Sequence, residues 1–119
     1  MPETKTYTGD CHCGAVKYEA KIALGEVMSC NCSICQKRGH LLTFIPAADF
    51  RLLSGEDKLK DYQFNKKRIH HLFCSDCGIE SFARATGPDG QEMIAINARC
   101  LNGVEPTELP IKHVNGRAF

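Results

Sequence analysis

The sequence has no apolar run approaching the roughly 20 residues that a membrane-spanning helix requires, and residues 1–6 are polar. No signal peptide is therefore visible, and we expect a cytoplasmic protein whose thiols stay reduced. Charge of either sign is not in excess: a formal net charge of +1 predicts neither a nucleic-acid-binding protein nor an acidic tail. Because low-complexity tracts, long linkers and helical repeats are also missing, residues 1–119 are expected to form one domain.

Alternation of apolar and polar side chains with a period of two runs through much of the chain and predicts β-strands. The Thr- and Tyr-rich residues 4–10 are expected to pair with a half-buried strand at residues 16–22. The inward-facing residues of that second strand are predicted to be Val16, Tyr18, Ala20 and Ile22. Further strands are predicted at residues 41–45, 50–53, 59–64, 68–73, 81–85 and 92–98.

Helix is predicted only as one turn, at residues 33–37, with Ser33 as its cap. Residues 102–119 contain two prolines and two glycines and are expected to be irregular. Many short strands separated by turns are typical of a small, mainly β domain.

Cysteine is abundant: the chain has eight, and only Cys100 lies outside three short clusters. A disulfide framework is disfavoured, because no export signal is visible and neighbouring C-x-C thiols would close a small, strained ring. Metal binding is the better interpretation of these spacings. The clusters are Cys11-x-Cys13, Cys30-x-Cys32-x-x-Cys35 and Cys74-x-x-Cys77.

Two of the clusters supply a pair of thiols each, and each pair is followed by a glycine. Two such pairs at hairpin tips predict one closed, tetrahedral zinc site of structural type. The competing interpretation is a redox dithiol, but no βαβ pattern surrounds the C-x-x-C pair. The predicted structural ligands are Cys11, Cys13, Cys74 and Cys77.

The third cluster is a triplet, Cys30, Cys32 and Cys35. Three thiolates on one zinc leave a fourth position for water or a substrate thiolate, which favours a catalytic site. The amides of the predicted helical turn would lower the pKa values of these thiols. Three alternatives stay open: Cys100 or His40 fills the fourth position, or the triplet is a set of free thiols that bind metal weakly or oxidise.

The order of these motifs resembles one known family, the glutathione-dependent formaldehyde-activating enzymes, whose domain also occurs in a centromere protein. The resemblance extends from about Gly9 to His113, nearly the whole chain. The residues that carry it are Gly9-x-Cys11-x-Cys13-Gly14, the triplet, Leu53-x-Gly55, Phe73-Cys74-x-x-Cys77-Gly78 and the late His113.

The resemblance implies a β-tent fold of small antiparallel sheets held together by zinc, with two zinc ions per chain. It implies that the two cysteine pairs hold a structural zinc and that the triplet holds a catalytic zinc. The reaction it implies joins glutathione and formaldehyde into S-hydroxymethylglutathione, and the family is classed with the carbon–sulfur lyases. We therefore expect a zinc-dependent carbon–sulfur lyase that handles a thiol adduct of a small aldehyde. The alternatives are a non-catalytic zinc-binding interaction module and a thiol redox sensor.

A thiol partner such as glutathione carries carboxylates that would need cations, whereas neither a nucleic acid nor a membrane is an expected partner. Two adjacent histidines, His70 and His71, would alternate in a strand, so only one of them can face a given side. Either of these, or His40, could act as acid or base near neutral pH. The candidate cations are Lys37, Arg38, Lys66, Lys67 and Arg68.

Overall fold

Ten β-strands and one α-helix form the regular structure of the described part of the chain. The computed structural model describes residues 3–63, 69–87 and 89–115. The strands are β1 (Lys5–Asp10), β2 (Lys17–Ile22), β3 (Val27–Cys30), β4 (Leu42–Pro46), β5 (Phe50–Ser54), β6 (Leu59–Tyr62), β7 (Ile69–Cys74), β8 (Phe82–Thr86), β9 (Glu92–Asn97) and β10 (Ile111–Val114). The helices are α1 (Ser33–Arg38) and four short 3-10 turns at Ala47–Asp49, Glu56–Lys58, Ala98–Cys100 and Pro106–Glu108.

The strands form two sheets, and the predicted mainly β architecture is confirmed. One sheet has three antiparallel strands in the order β1-β2-β5. The other has seven strands in the order β10-β3-β4-β9-β8-β7-β6. The predicted strands at residues 59–64 and 68–73 correspond to β6 and β7, while residues 64 and 68 themselves lie outside the described residues.

The core joins the two sheets through aromatic side chains. The inward face predicted for β2 is confirmed, since Val16, Tyr18, Ala20 and Ile22 are all buried. The Tyr18 ring centroid lies 5.3 Å from that of Phe50 on β5, and Phe50 lies 4.7 Å from Phe82 on β8 of the other sheet. Each such pair contributes about 0.5–1.5 kcal/mol beyond the area it buries, so this cluster fixes one sheet against the other.

The last strand is the main departure from the predicted fold. Residues 102–119 were expected to be irregular, and this is wrong for Ile111–Val114, which form β10 and pair in parallel with β3. One hydrogen bond at each end extends the pairing by a residue: the Val27 amide donates to the carbonyl of Pro110, just before β10, and the amide of Asn31, just after β3, donates to the Val114 carbonyl. The strand has no alternation of burial, because it forms an exposed edge of the sheet.

Helix α1 matches the predicted turn, but its cap differs. The N-cap residue is Cys32 rather than Ser33, and no side chain caps the helix. A six-residue helix is far too short to cross a membrane, and no other described helix is long or apolar enough to do so.

Candidate functional site

Four thiols converge where two loops of different sheets meet. Cys11 and Cys13 lie in the loop between β1 and β2, while Cys74 ends β7 and Cys77 lies in the turn that follows. The Cys13 sulfur lies 3.6 Å from those of both Cys11 and Cys74, and all four sulfurs lie within 4.8 Å of one another. Sulfurs at about 2.3 Å from a tetrahedral zinc are roughly 3.8 Å apart, so this donor set fits such an ion.

The loops that carry these thiols are shaped by their backbone. Gly14 and Gly78 have φ values of 82° and 80°, a left-handed conformation that favours glycine and explains the glycine after each pair. Amides point at the sulfurs: the Val16 amide donates to Cys11 Sγ at 3.3 Å. Burial opposes ionisation of Cys77, but bonds from the Cys13 and Ile79 amides and the neighbouring thiols outweigh it and lower its pKa to about 6. A thiolate is the form that binds metal.

The triplet is assembled by the end of one strand and the start of α1. Cys30 ends β3, Cys32 is the N-cap of α1, and Cys35 lies within the helix. Their three sulfurs lie within 4.8 Å of one another, and the Cys32 amide donates to Cys30 Sγ at 3.4 Å. Burial again opposes ionisation, but the amides of Cys35 and Ile34 and the neighbouring thiols lower the pKa of Cys32. The donor set therefore fits a thiophilic metal with three protein ligands.

Neither of the two candidates for a fourth ligand joins the triplet. Within residues 3–63, 69–87 and 89–115, the triplet group contains its three cysteines alone. Cys100 lies instead beside the four-thiol cluster, close enough for Cys11 and Cys77 to influence the ionisation of its thiol. Burial raises the pKa of Cys100, which is consistent with a neutral thiol.

A cavity of about 190 Å³ opens beside the triplet. All three triplet cysteines line it, together with His40, His71 and Glu80. Its remaining walls are apolar and come from the larger sheet and from α1. These apolar residues are Met28, Ile34, Leu42, Phe44, Ile69, Ala83, Ala85, Met93 and Ala95.

The polar residues of this cavity surround one buried carboxylate. The Glu80 side chain is only 3% exposed; it accepts a hydrogen bond from Arg38 Nη1, and its Oε2 lies 3.2 Å from His71 Nδ1. His40 Nε2 lies 3.5 Å from Glu80 Oε1, too far for a good hydrogen bond. Burial, followed by the Arg38 charge, lowers the pKa of His40 to about 4 and also lowers that of His71. Both histidines are therefore neutral at pH 7.

A larger, more polar groove of about 440 Å³ also reaches the triplet. Cys30 and Cys35 line both this groove and the apolar cavity. One wall of the groove is β10, in which His113 pairs with Ser29 of β3. The triplet thus forms part of the wall of two spaces of different character.

The order of the cysteines along the chain and their convergence in space agree with a known family. A family model described as "Glutathione-dependent formaldehyde-activating enzyme" matches residues 6–114. The chain belongs to this family. Its structure is also similar to the crystal structure of a Rhodobacter sphaeroides protein, with a TM-score of 0.76 and 33% sequence identity over 88% of this chain and 99% of that chain.

Membership of the glutathione-dependent formaldehyde-activating enzyme family confirms the resemblance inferred from the motifs and implies a function related to glutathione. The candidate cations for binding such a thiol differ in their position and in their contacts. Lys37 lines a surface groove with Tyr62. Arg38 lines the same groove, but its guanidinium is paired with Glu80 and stacks over Phe73 at 5.3 Å. Residues 66–68, which hold the other three candidates, lie outside the described residues.

The paired histidines confirm the prediction that only one can face inward. His70 is half-buried and its Nδ1 lies 2.6 Å from Asp61 Oδ2, whereas His71 is buried at the cavity. The residue that sequence reasoning missed is Glu80. Its position in a short irregular segment between β7 and β8 gives no periodicity that would mark it as buried, and the only signal is the two apolar residues near it, Ile79 and Phe82.

Proposed function

We propose that this protein is a zinc-dependent enzyme of the carbon–sulfur lyase type, which makes and breaks the bond between a thiol such as glutathione and a small aldehyde. The observation that supports this most is the triplet of Cys30, Cys32 and Cys35. It offers three sulfur ligands, has no fourth ligand among the described residues, and opens on a cavity. A closed four-thiol site has no position for a substrate, whereas a three-thiol site has one.

The two clusters have different roles in this proposal. Cys11, Cys13, Cys74 and Cys77 hold a structural zinc that fixes the loops of the two sheets. Cys30, Cys32 and Cys35 would hold the catalytic zinc, and the chemistry that this ion would supply is to keep a substrate thiol deprotonated near neutral pH. Three thiolates already bring negative charge to the triplet, which weakens Lewis-acid polarisation of a carbonyl and favours delivery of a thiolate.

The reaction balances as an addition. The sulfur of the thiol forms a bond to the carbonyl carbon, the carbon–oxygen π bond breaks, and the proton lost by sulfur ends on oxygen. The reverse reaction returns both partners. The chain contributes the surroundings: the apolar cavity excludes water from the carbon–sulfur bond, and the polar groove, which His113 and Asn115 line, takes the rest of the thiol. Reduced thiols are needed throughout, so the expected compartment is the cytoplasm.

Metal content and ligand exchange test the proposal together. Elemental analysis of the reduced protein should give two zinc ions per chain, and Cys32→Ala should lower this to about one. In the cobalt-substituted protein, glutathione should change the thiolate-to-metal charge-transfer bands. Exchange NMR should show that S-hydroxymethylglutathione forms faster with the zinc-loaded protein than without it. Cys100→Ala is the matched control, since that thiol lies outside both clusters. One zinc per chain with freely alkylated triplet thiols would refute the proposal.

A non-catalytic interaction module is the second candidate, and one observation favours it. Phe44 and Ile69 are 49% and 45% exposed, and both also line the cavity, so they form an apolar surface at its edge. Such a surface can contact a partner. If a Cys30→Ala/Cys32→Ala double variant retained full biological activity, the module would be supported and the enzyme rejected. A redox sensor would instead show mass shifts on the triplet under mild peroxide.

A further inference from the structure

Resting on the proposed function, we propose that the cavity beside the triplet takes the hydrocarbon tail of an aliphatic aldehyde larger than formaldehyde. The substrate class is then the thiol adduct of an aldehyde with a tail of up to about six carbons, comparable with the benzene that a roughly 150 Å³ apolar cavity can hold. Formaldehyde itself has no tail to occupy this space.

The size of the cavity is the first argument. Its volume is about 190 Å³. Formaldehyde has two heavy atoms and needs no more room than one or two water molecules, each of which has a share of roughly 30 Å³ in the liquid. Formaldehyde would therefore leave most of the cavity without contacts, whereas a tail of several carbons would fill it.

The construction of the cavity is the second argument. Two adjacent strands place small side chains opposite one another: Ala83 of β8 pairs with Ala95 of β9, and Ala85 pairs with Met93. These residues line the cavity, and the three alanines leave the room that larger side chains would occupy. Phe44 and Ile69 add larger apolar walls. The walls can therefore make van der Waals contacts with the methylene groups of a ligand, but they offer few hydrogen bonds.

The polar end of the cavity is the third argument. His40 is 5% exposed and lines the cavity, and neither of its ring nitrogens has a hydrogen-bond partner within the described part of the chain. A buried polar atom without a partner is costly, and a ligand oxygen can supply one. The aldehyde or hydroxyl oxygen is the polar atom that such a substrate brings, with the reacting carbon between His40 and the triplet and the tail among the alanines.

Chain-length dependence in the zinc-loaded protein tests the proposal. The rate of adduct formation with glutathione is measured for formaldehyde, propanal, butanal, pentanal, hexanal and decanal. Each buried methylene should raise kcat/KM about fourfold, or ~0.8 kcal/mol, up to about six carbons, and decanal should fall below hexanal. Ala95→Leu should reduce the ratio of hexanal to formaldehyde at least tenfold. Ala23→Leu, a change at an exposed loop position, should preserve that ratio. Values of kcat/KM that did not change with the chain length of the aldehyde would overturn the proposal.

Binding is measured separately, so that the two proposals can fail independently. Methyl groups of alanine are labelled with carbon-13, and 1-pentanol, which cannot react, is added to the zinc-loaded protein. Shifts at Ala83, Ala85 and Ala95 with none at Ala23 support the cavity even if no aldehyde reacts, in which case the proposed reaction alone fails. Formaldehyde turnover without such shifts overturns the cavity and leaves the reaction standing. If Ala95→Leu does not fold, Ala85→Leu gives the same comparison.

Discussion

Glu80 offers a sharp test of how the site is held together, because its buried carboxylate contacts groups from three different elements. Arg38 comes from α1, His71 from β7, and His40 from the segment before β4. Replacement by alanine would remove the carboxylate that both the Arg38 guanidinium and the His71 ring contact in the cavity wall. Replacement by glutamine would keep the shape and one oxygen but remove the charge.

The expected magnitudes follow from burial. Removing one partner of a buried ion pair costs about 3–5 kcal/mol. The Arg38 side chain is 28% exposed, so water can replace part of the interaction, and we expect Glu80→Ala to lower the free energy of unfolding by about 3 kcal/mol. Glu80→Gln keeps a hydrogen bond to Arg38 but removes the charge that strengthens it. We expect this variant to lower the free energy of unfolding by about 1–2 kcal/mol.

The chain supplies a matched control for this experiment. Glu92 also accepts a hydrogen bond from an arginine, Arg84, at 2.8 Å, but its side chain is 48% exposed. Glu92→Gln should therefore change the free energy of unfolding by less than about 1 kcal/mol. Urea unfolding of the zinc-loaded proteins gives all three values. If Glu80→Gln were no more destabilising than Glu92→Gln, the inference that Glu80 organises the cavity wall would be wrong.

Two further predictions concern the metal ligands and the pH dependence of stability. Cys74→Ala should remove about one zinc per chain by elemental analysis and abolish cooperative unfolding, since a structural zinc contributes about 10–16 kcal/mol. Cys100→Ala should keep the full zinc content. Equal loss of zinc in both variants would contradict the assignment of Cys74 as a ligand of the structural zinc. The pKa of His40 falls from 6.5 to about 4 in the folded state, so the unfolded chain binds more protons between these values and stability is lost as pH falls below 6.5. Between pH 7 and pH 5 the loss of stability should be about 2 kcal/mol greater than in His40→Gln. Urea unfolding at each pH gives the free energies of unfolding. If these fell in parallel for the two proteins as the pH was lowered, the prediction would be wrong.

Much of the fold was predictable because alternation and turn residues are local signals. The inward face of β2 followed from its period of two, and the grouping of Cys11, Cys13, Cys74 and Cys77 followed from metal-ligand spacing. In contrast, β10 depends on a parallel partner far away in the sequence: the Asn31 and Asn115 side chains that hydrogen-bond next to it are separated by 84 positions. No local pattern specifies such a pairing.

The cavity escaped prediction for a different physical reason. Ala83 and Ala95 fit a β-strand in the sequence, and only their register across β8 and β9 shows that two small side chains lie opposite one another. Arg38 was interpreted as a cation available to a thiol substrate, because nothing in the sequence connects it with Glu80. Both features arise from contacts between elements, which composition and spacing do not encode.

The shared position of Cys30 and Cys35 in the walls of two spaces has a kinetic consequence. In the proposed reaction the hydrophilic partner approaches through the groove beside β10, and the carbonyl partner occupies the cavity between β8 and β9. Neither partner has to leave before the other enters, so initial velocities should follow a sequential scheme with intersecting double-reciprocal plots. An unreactive alcohol in the cavity should then inhibit competitively against the aldehyde and non-competitively against the thiol.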